Sequence, residues 1–319
     1  MVTGTDVVVT GGAGFIGANL CRRLTETAGI GRVVALDDLS TGSRANLDGV
    51  GGVELVEGTI LDADLLDRAF AGAGAVVHLA ARPSVPRSLV DPVASHDVNA
   101  TGTVRVLEAA RSVGHPLVIV ASSSSVYGAN PHLPKHEELA TAPVSPYAAS
   151  KLATESYARA YAHSFGLPAL AFRFFNVFGP LQAAGHAYAA VIPAFVSAAL
   201  DGRPLTVHGD GRQTRDFTFV DTVTAVIADA VVRGVTHPGP VNLAFGSRTS
   251  LVEVIGLLED ILGTTLAVDH VEPRAGDVRD SQADQSRLRS LFPEVAPVTL
   301  EVGLRRTIEW FRAATRAGP

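Results

Sequence analysis

Apolar and polar positions follow two different periods along this chain. Runs rich in β-branched and aliphatic residues at 7–9, 33–36, 53–56, 76–79, 117–121 and 169–172 have almost no polar face. They predict strands buried on both sides. Between them the apolar spacing becomes helical, over 15 to about 27, 63–71, 99–113 and 146–164. Strands alternating with helices predict an α/β class, a parallel sheet with helices on both faces. After Asn176 the rhythm breaks into Gly- and Pro-rich segments such as Phe178-Gly179-Pro180, Gly202-Arg203-Pro204 and Gly209-Asp210-Gly211. The expected organisation is a first domain over 1–175 and a smaller α/β lobe over 176–319. Segments near 215–240 are expected to return to the first domain. No internal repeat or low-complexity stretch interrupts this pattern.

Composition narrows the function classes. The chain has 319 residues, 47% of them apolar and 18% charged, with a net charge of −6. Such a chain can bury a large core, and it offers no basic surface to nucleic acid. The single cysteine, Cys21, excludes a disulfide framework and reads as a small buried hydrophobe. No apolar run approaches the ~18 residues of a membrane span. The stretch MVTGTDVVVTGG has neither the basic nor the apolar region of a signal peptide. The expected setting is the cytoplasm, without a membrane or nucleic-acid partner. His78, His163, His186 and His208 show no metal spacing with acids, so no metal is expected. The cations are 24 arginines and only two lysines, Lys135 and Lys151. A lysine in that background points to a site that arginine would not serve.

Two groups of residues carry candidate chemistry. Gly11, Gly14 and Gly17 follow the first strand and open the first helix, with Phe15 and Ile16 between the last two. That spacing gives a tight turn, a close approach of backbone to a pyrophosphate, and a helix N-terminus facing the phosphates. Asp37 ends the second strand, where an acid can hold a ribose diol and repel a 2′-phosphate. This favours NAD over NADP; Asp38 is an alternative bearer of the role. The second group is Tyr147 and Lys151, four apart on one helix face. A phenol titrates near 10, and an adjacent ammonium is expected to lower that value. Lys151 can also donate to a ribose hydroxyl. The run Ser122-Ser123-Ser124-Ser125 follows the fifth strand, at the sheet end where α/β folds place ligands.

Across almost its whole length the chain resembles the extended short-chain dehydrogenase/reductases, specifically the nucleotide-sugar 4-epimerases. The resemblance rests on Gly-Gly-Ala-Gly-Phe-Ile-Gly at 11–17, His78-Leu79-Ala80-Ala81, Asp97-Val98-Asn99, the serine run, the Tyr147/Lys151 pair, the segment 173–180, and Arg215-Asp216-Phe217. It implies a Rossmann-type doubly wound sheet, bound NAD, a UDP-sugar substrate and a homodimer. The dimer would form through the helices at 99–113 and 147–164, using Val104, Val106, Leu107, Leu152, Tyr157 and Tyr161. By position the resemblance selects Ser123 as the catalytic hydroxyl beside Tyr147 and Lys151. It places Leu79, Ala80, Ala81, Asn99, Phe174 and Phe175 along NAD. It also implies sugar-nucleotide contacts from Ser84, Ser124, Ser125, Asn176 and Val191, a pyrophosphate clamp of Arg215 and Arg274, and a ribose acid at Asp277.

Departures from the family's other branches point to a reaction. The 4,6-dehydratases resemble Thr-Asp-Glu where this chain has Ser123, Ser124 and Ser125; UDP-glucuronate decarboxylases resemble Thr-Ser-Glu. Without a carboxylate in that turn, reversible oxidation at C4 of the sugar remains. Ser281, four residues after Asp277, is small, which resembles epimerases that accept N-acetylated sugars; the segments 84–88 and 188–193 resemble them too. Arg82 could instead meet a sugar carboxylate, so UDP-glucuronate is the alternative substrate. Known glucuronate epimerases, however, resemble a Thr and an Arg where Asn176 and Ala183 stand. A reductase using external NADPH and a non-catalytic NAD-binding protein are further readings. Asp37 opposes the first, and the presence of Ser123, Tyr147 and Lys151 opposes the second.

Overall fold

The apolar runs assemble into one seven-stranded parallel sheet, because strands without a polar face need helices on both sides. The computed structural model describes residues 4–184, 189–272 and 279–317. Six strands come from the first half: β1 (Thr5–Thr10), β2 (Ile30–Asp37), β3 (Val53–Glu57), β4 (Ala75–His78), β5 (Leu117–Ser123) and β6 (Ala169–Phe174). The seventh, Val241–Leu243, pairs with β6. The spatial order is Val241–Leu243, β6, β5, β4, β1, β2, β3. The chain winds outward from β1 to β3, then returns to β4 and winds the other way. The reversal between β1 and β4 opens a crevice at the carboxyl ends of the strands.

Each face of the sheet has its own core. Helices Phe15–Thr25 and Val220–Arg233 cover one face through Leu20, Cys21, Leu24, Val223 and Ile227. Helices Ala63–Phe70, Gly102–Ser112 and Pro146–Phe165 cover the other through Leu66, Phe70, Leu107 and Tyr161. Full burial of each such side chain contributes about 1.5–3 kcal/mol. Cys21 is a packing residue here, and burial pushes its thiol up to about 12. Helix Val220–Arg233 packs on this face, and the strand that follows it, Val241–Leu243, joins the sheet beside β6.

A third core lies outside the sheet and is built mainly from later residues, including Phe178, Phe195, Phe219, Leu258, Leu304 and Ile308. Its strands are short and paired in twos: Phe217–Phe219 with Asn176–Phe178, Thr249–Ser250 with Thr214–Arg215, and Val268–Val271 with Leu205–His208. Helix Leu251–Leu262 starts on a Ser250/Glu253 capping box and ends at left-handed Gly263.

One helix differs from expectation at its start. Residues Asp97–Thr101 form a π-helical turn, and the α-helix proper is Gly102–Ser112. The Asn99 carbonyl accepts the hydroxyls of Thr103 and Thr154, side-chain bonds that suit a locally widened turn. Among the described residues, no helix is long and apolar enough to cross a membrane.

Candidate active site

Two cavities meet at the carboxyl end of β5. The first, of about 380 Å³, lies over the strand reversal. Gly11, Gly14, Phe15, Ile16 and Gly17 line it from the first loop, and Leu79, Ala80 and Ala81 from the end of β4. Asp37 and Asp38 close one end; Ser123, Tyr147, Lys151, Phe174 and Phe175 close the other. The second, of about 260 Å³, is lined by Ser123, Ser124, Ser125, Asn176, Arg215 and Ser281 among others. Ser123 borders both.

The first loop is shaped for backbone contact. Gly11 has φ +72°, and a Cβ there would stand 2.7 Å from the Ala80 nitrogen. A Cβ on Gly17 would stand 2.0 Å from the Gly11 carbonyl. The helix beginning at Phe15 is preceded by Gly14 and carries no side-chain cap, so its first amides remain available to an anion. Asp37 is buried and accepts the Ala13 and Leu39 amides at 2.9 and 2.8 Å. Burial raises its pKa, with those amides opposing. Asp38 is exposed and accepts from Ser40. This cradle, which side chains would fill, and the acid at its far end fit a dinucleotide.

Tyr147 and Lys151 stand on helix Pro146–Phe165, which Ser145 caps through the Ala148 amide. Pro146 occupies its first turn, and left-handed Gly166 ends it. The i, i+4 spacing continues to Glu155. That buried carboxylate is held by two Arg173 nitrogens, at 2.9 and 2.6 Å, and by the Ser122 hydroxyl at 2.8 Å. The pair fixes the helix against the ends of β5 and β6. Lys151 is also buried, and its ammonium donates to the Ala121 carbonyl at 2.9 Å. Burial lowers its pKa to about 8.

The phenol departs from expectation. Burial raises the Tyr147 pKa, while a hydrogen-bonding interaction with Ser123 opposes that rise. The predicted lowering by the Lys151 ammonium does not outweigh desolvation in the protein alone. The Lys151 charge instead registers on His78, whose pKa burial and that charge lower to about 3. His78 is therefore neutral, held between the Thr10 and Thr103 hydroxyls beneath the first cavity.

The serine turn is ordered by its own hydroxyls. Ser123 accepts the Ser125 amide at 3.2 Å and hydroxyl at 2.9 Å. Gly128 ends the turn at φ +44°, where a Cβ would stand 1.9 Å from the Ala142 carbonyl. Asp280 supplies the one carboxylate lining the second cavity among the described residues. It accepts from Thr214 and Arg248, and these bonds hold its pKa below the usual range.

Several expected contacts lie elsewhere. Asn99 does not line the first cavity; it is buried behind it, accepting the Arg82 amide at 2.7 Å and donating to Ser150 at 2.9 Å. Ser84, at φ +96°, caps the short helix Val85–Val90, and its neighbour Val85 lines the second cavity instead. Val191 starts helix Val191–Leu200 and packs on the third core, away from both cavities. Arg82 lines neither cavity and pairs with Asp91 at 3.1 Å. Arg274, Asp277, His186 and Tyr188 lie outside the described residues. Val106, Leu107 and Tyr161 pack into the subunit's own core rather than facing outward.

Sequence reasoning missed two features. Gln182 lines the first cavity, and no motif marks it. Lys135 lines the second, where its rarity was the available signal. Asp216 is a hidden support. It accepts the Gly246, Ser247 and Ala283 amides and so ties together the walls around that cavity. Among the described residues, no cluster of His, Cys, Asp and Glu could hold a metal.

The family model for the NAD dependent epimerase/dehydratase family matches residues 7–244. The chain belongs to that family. Its cofactor is NAD, in agreement with the glycine cradle and Asp37. It is 39% identical to a UDP-glucose 4-epimerase of Mycolicibacterium smegmatis, over 96% of this chain and 98% of that one. It superposes with TM-score 0.92 and 34% identity on a UDP-N-acetylglucosamine 4-epimerase of Methanobrevibacter ruminantium M1, solved with UDP-N-acetylmuramic acid; 98% of this chain and 99% of that one are covered. A UDP-glucose 4-epimerase of Thermus thermophilus in complex with NAD gives TM-score 0.87 at 34% identity, covering 97% and 100%. Other family members with similarity to this chain are named UDP-glucuronate 4-epimerase and dTDP-glucose 4,6-dehydratase.

Proposed function

We propose that this family member inverts C4 of a UDP-sugar, converting UDP-glucose or UDP-N-acetylglucosamine to its galacto form. The observation that carries the reading is the junction at Ser123. There the Tyr147/Lys151 cavity and the second pocket share one serine, and the turn that carries it holds no carboxylate. Removal of water across C5–C6 needs an acid and a base on the sugar. Thr214 and Arg248 hold the pKa of Asp280 below the usual range, which opposes its serving as that acid.

Tyr147, in its phenolate form, takes the 4′-hydroxyl proton, with the Ser123 hydroxyl as relay. Lys151 holds its place through the Ala121 carbonyl and supplies positive charge beside the site. Held along the glycine cradle and Asp37, NAD would supply a hydride acceptor for oxidation at C4 and a hydride donor for its reduction. The 4-keto sugar turns about its diphosphate linkage between oxidation and reduction. Such turning requires a firm hold on the nucleotide and a loose hold on the hexose. Arg215 at the rim of the second cavity suits the first task, because its planar fork matches phosphate oxygens. Short serine side chains suit the second. Ser281 leaves space beside the sugar, which favours N-acetylated substrates. The glucuronate alternative loses its first support, since Arg82 is paired with Asp91 outside both cavities.

The test is incubation with UDP-glucose, UDP-N-acetylglucosamine and UDP-glucuronate separately, without added cofactor, reading C4 stereochemistry by proton NMR. A galacto-configured product supports the reading; unchanged sugar with bound NAD present contradicts it. We also propose a homodimer. Tyr157 on helix Pro146–Phe165 is 43% exposed, and Leu89, Val90 and Val93 are exposed nearby in sequence to the π turn. Sedimentation at micromolar protein should give about twice the chain mass of 33.1 kDa.

A further inference from the structure

Lys135 has not yet been given a task. It is one of two lysines in a chain that uses arginine 24 times. It sits seven residues past Gly128, on a segment clamped at the rim of the second cavity. Its amide donates to the Gln282 carbonyl at 2.7 Å, and its carbonyl accepts the Asp284 amide at 2.8 Å. This clamp places Lys135 beside Ser281 and opposite the serine turn, all three lining the same space.

The side chain is 5% exposed. Among the described residues its ammonium has one hydrogen-bond partner, the Asn130 carbonyl, and no carboxylate partner. An ammonium can donate three hydrogen bonds. Among the described residues no carboxylate contacts this ammonium, although Asp280 lines the same cavity, and a cation drawn out of water is costly to hold on one acceptor. Burial lowers the pKa of this one. Lys151, the other lysine, belongs to the first cavity. The two lysines thus divide between the two halves of the site.

We propose that Lys135 is a specificity-determining residue that donates to an acyl or carboxylate oxygen carried by the hexose ring. A plain hexose would leave the ammonium buried with a single acceptor. A ring bearing an N-acetyl carbonyl or a carboxylate supplies the missing acceptor. The inference rests on the epimerase reading above and adds the chemical class of sugar that the second cavity prefers. Arginine would not serve here, because its wide fork needs planar, bidentate partners, whereas an ammonium can turn its donors toward one oxygen.

The test compares kcat/KM of the wild-type enzyme for UDP-N-acetylglucosamine, UDP-glucuronate and UDP-glucose, and then for Lys135→Met. The wild type should prefer one of the two substituted sugars to UDP-glucose by about tenfold or more, as expected for one charge-assisted hydrogen bond. Lys135→Met should reduce that preference about tenfold, mainly through a rise in KM. Lys135→Arg should restore less than half of it. A preference for UDP-N-acetylglucosamine assigns the acceptor as the acyl oxygen, and a preference for UDP-glucuronate assigns it as the carboxylate. A wild type that prefers UDP-glucose overturns the proposal without any variant. So does an equal loss on all three sugars in a Lys135→Met protein that melts like the wild type. If Lys135→Met fails to fold, the wild-type ranking decides alone. Turnover of none of the three sugars overturns the epimerase reading itself, and this inference with it.

Discussion

The two cavities are built by different means. The first takes its shape from backbone: three glycines, the ends of β1, β2 and β4, and one helix N-terminus. The second takes its shape from side chains on segments far apart in sequence, around 85, 123–128, 135, 144–148, 176, 215 and 280–281. A backbone-defined pocket can hold a constant ligand, here NAD, with few freedoms to vary. A pocket made from loop side chains can change its occupant by single substitutions while the sheet stays the same. This difference accounts for relatives that share the fold and the cofactor but differ in sugar.

The comparison can be broken first at the junction. Tyr147→Phe removes the phenol that lines the first cavity beside Ser123, and turnover should fall about 10³-fold while bound NAD is retained. Absorbance and extracted-cofactor assays on the purified variant check both halves. A fall below tenfold would move the proton transfer to another group.

The next effect concerns the support shared by both cavities. Glu155→Gln leaves Arg173 charged and 3% exposed, with one of its nitrogens already lacking a partner. Breaking such a buried pair costs about 3–5 kcal/mol. Chemical denaturation should show that loss, with the denaturant slope unchanged if the native state keeps its shape. A change under about 1 kcal/mol would mean that water reaches Arg173.

A smaller effect separates relay from turn. Ser123→Ala should lower kcat about 10²-fold and shift KM for the sugar little, because its hydroxyl serves the proton path. It also caps Ser125, so Ser123→Thr, which keeps the hydroxyl, should recover most of the rate.

The smallest effect lies at the far end of the first cavity. Asp37→Asn should weaken NAD binding about tenfold, consistent with one hydrogen bond to a charged group. Titration of cofactor-stripped protein would read it. The pH dependence has a definite sign. Lys151 is protonated below about 8 and neutral above it. Its positive charge beside the site is therefore present below that pH and is lost as pH rises through it. Tyr147 itself, raised by burial, should titrate above its ordinary value near 10 in cofactor-free protein.

The same contrast explains what could be read from sequence. The strands β1, β2, β4, β5 and β6 were visible because their buried stretches are almost wholly apolar; edge strand β3 was visible from Val53, Leu55 and Val56, although its Glu54 and Glu57 are exposed. The glycine cradle was visible because its turn, close approach and helix start are consecutive. Tyr147 and Lys151 were visible because helical geometry turns a spacing of four into a shared face. The surroundings of Asn99 were not legible, because they depend on Ser150 and Arg82, which only the folded chain brings together. Nor was the packing of Val191 on the third core, which depends on helix Val191–Leu200. Lys135 went without a task because Gln282 and Asp284, which hold it at the cavity, lie far along the chain from it. The Tyr147 pKa was misjudged because spacing shows a charge but not the desolvation that opposes it.

The most direct test of the account follows C4 itself. UDP-N-acetylglucosamine or UDP-glucose deuterated at C4 would be incubated with the purified enzyme in ordinary water, without added cofactor. The account predicts a galacto-configured product that keeps its deuterium at C4, because the atom leaves and returns within one closed site. Loss of the label to solvent would contradict it, as would accumulation of a 4-keto-6-deoxy sugar.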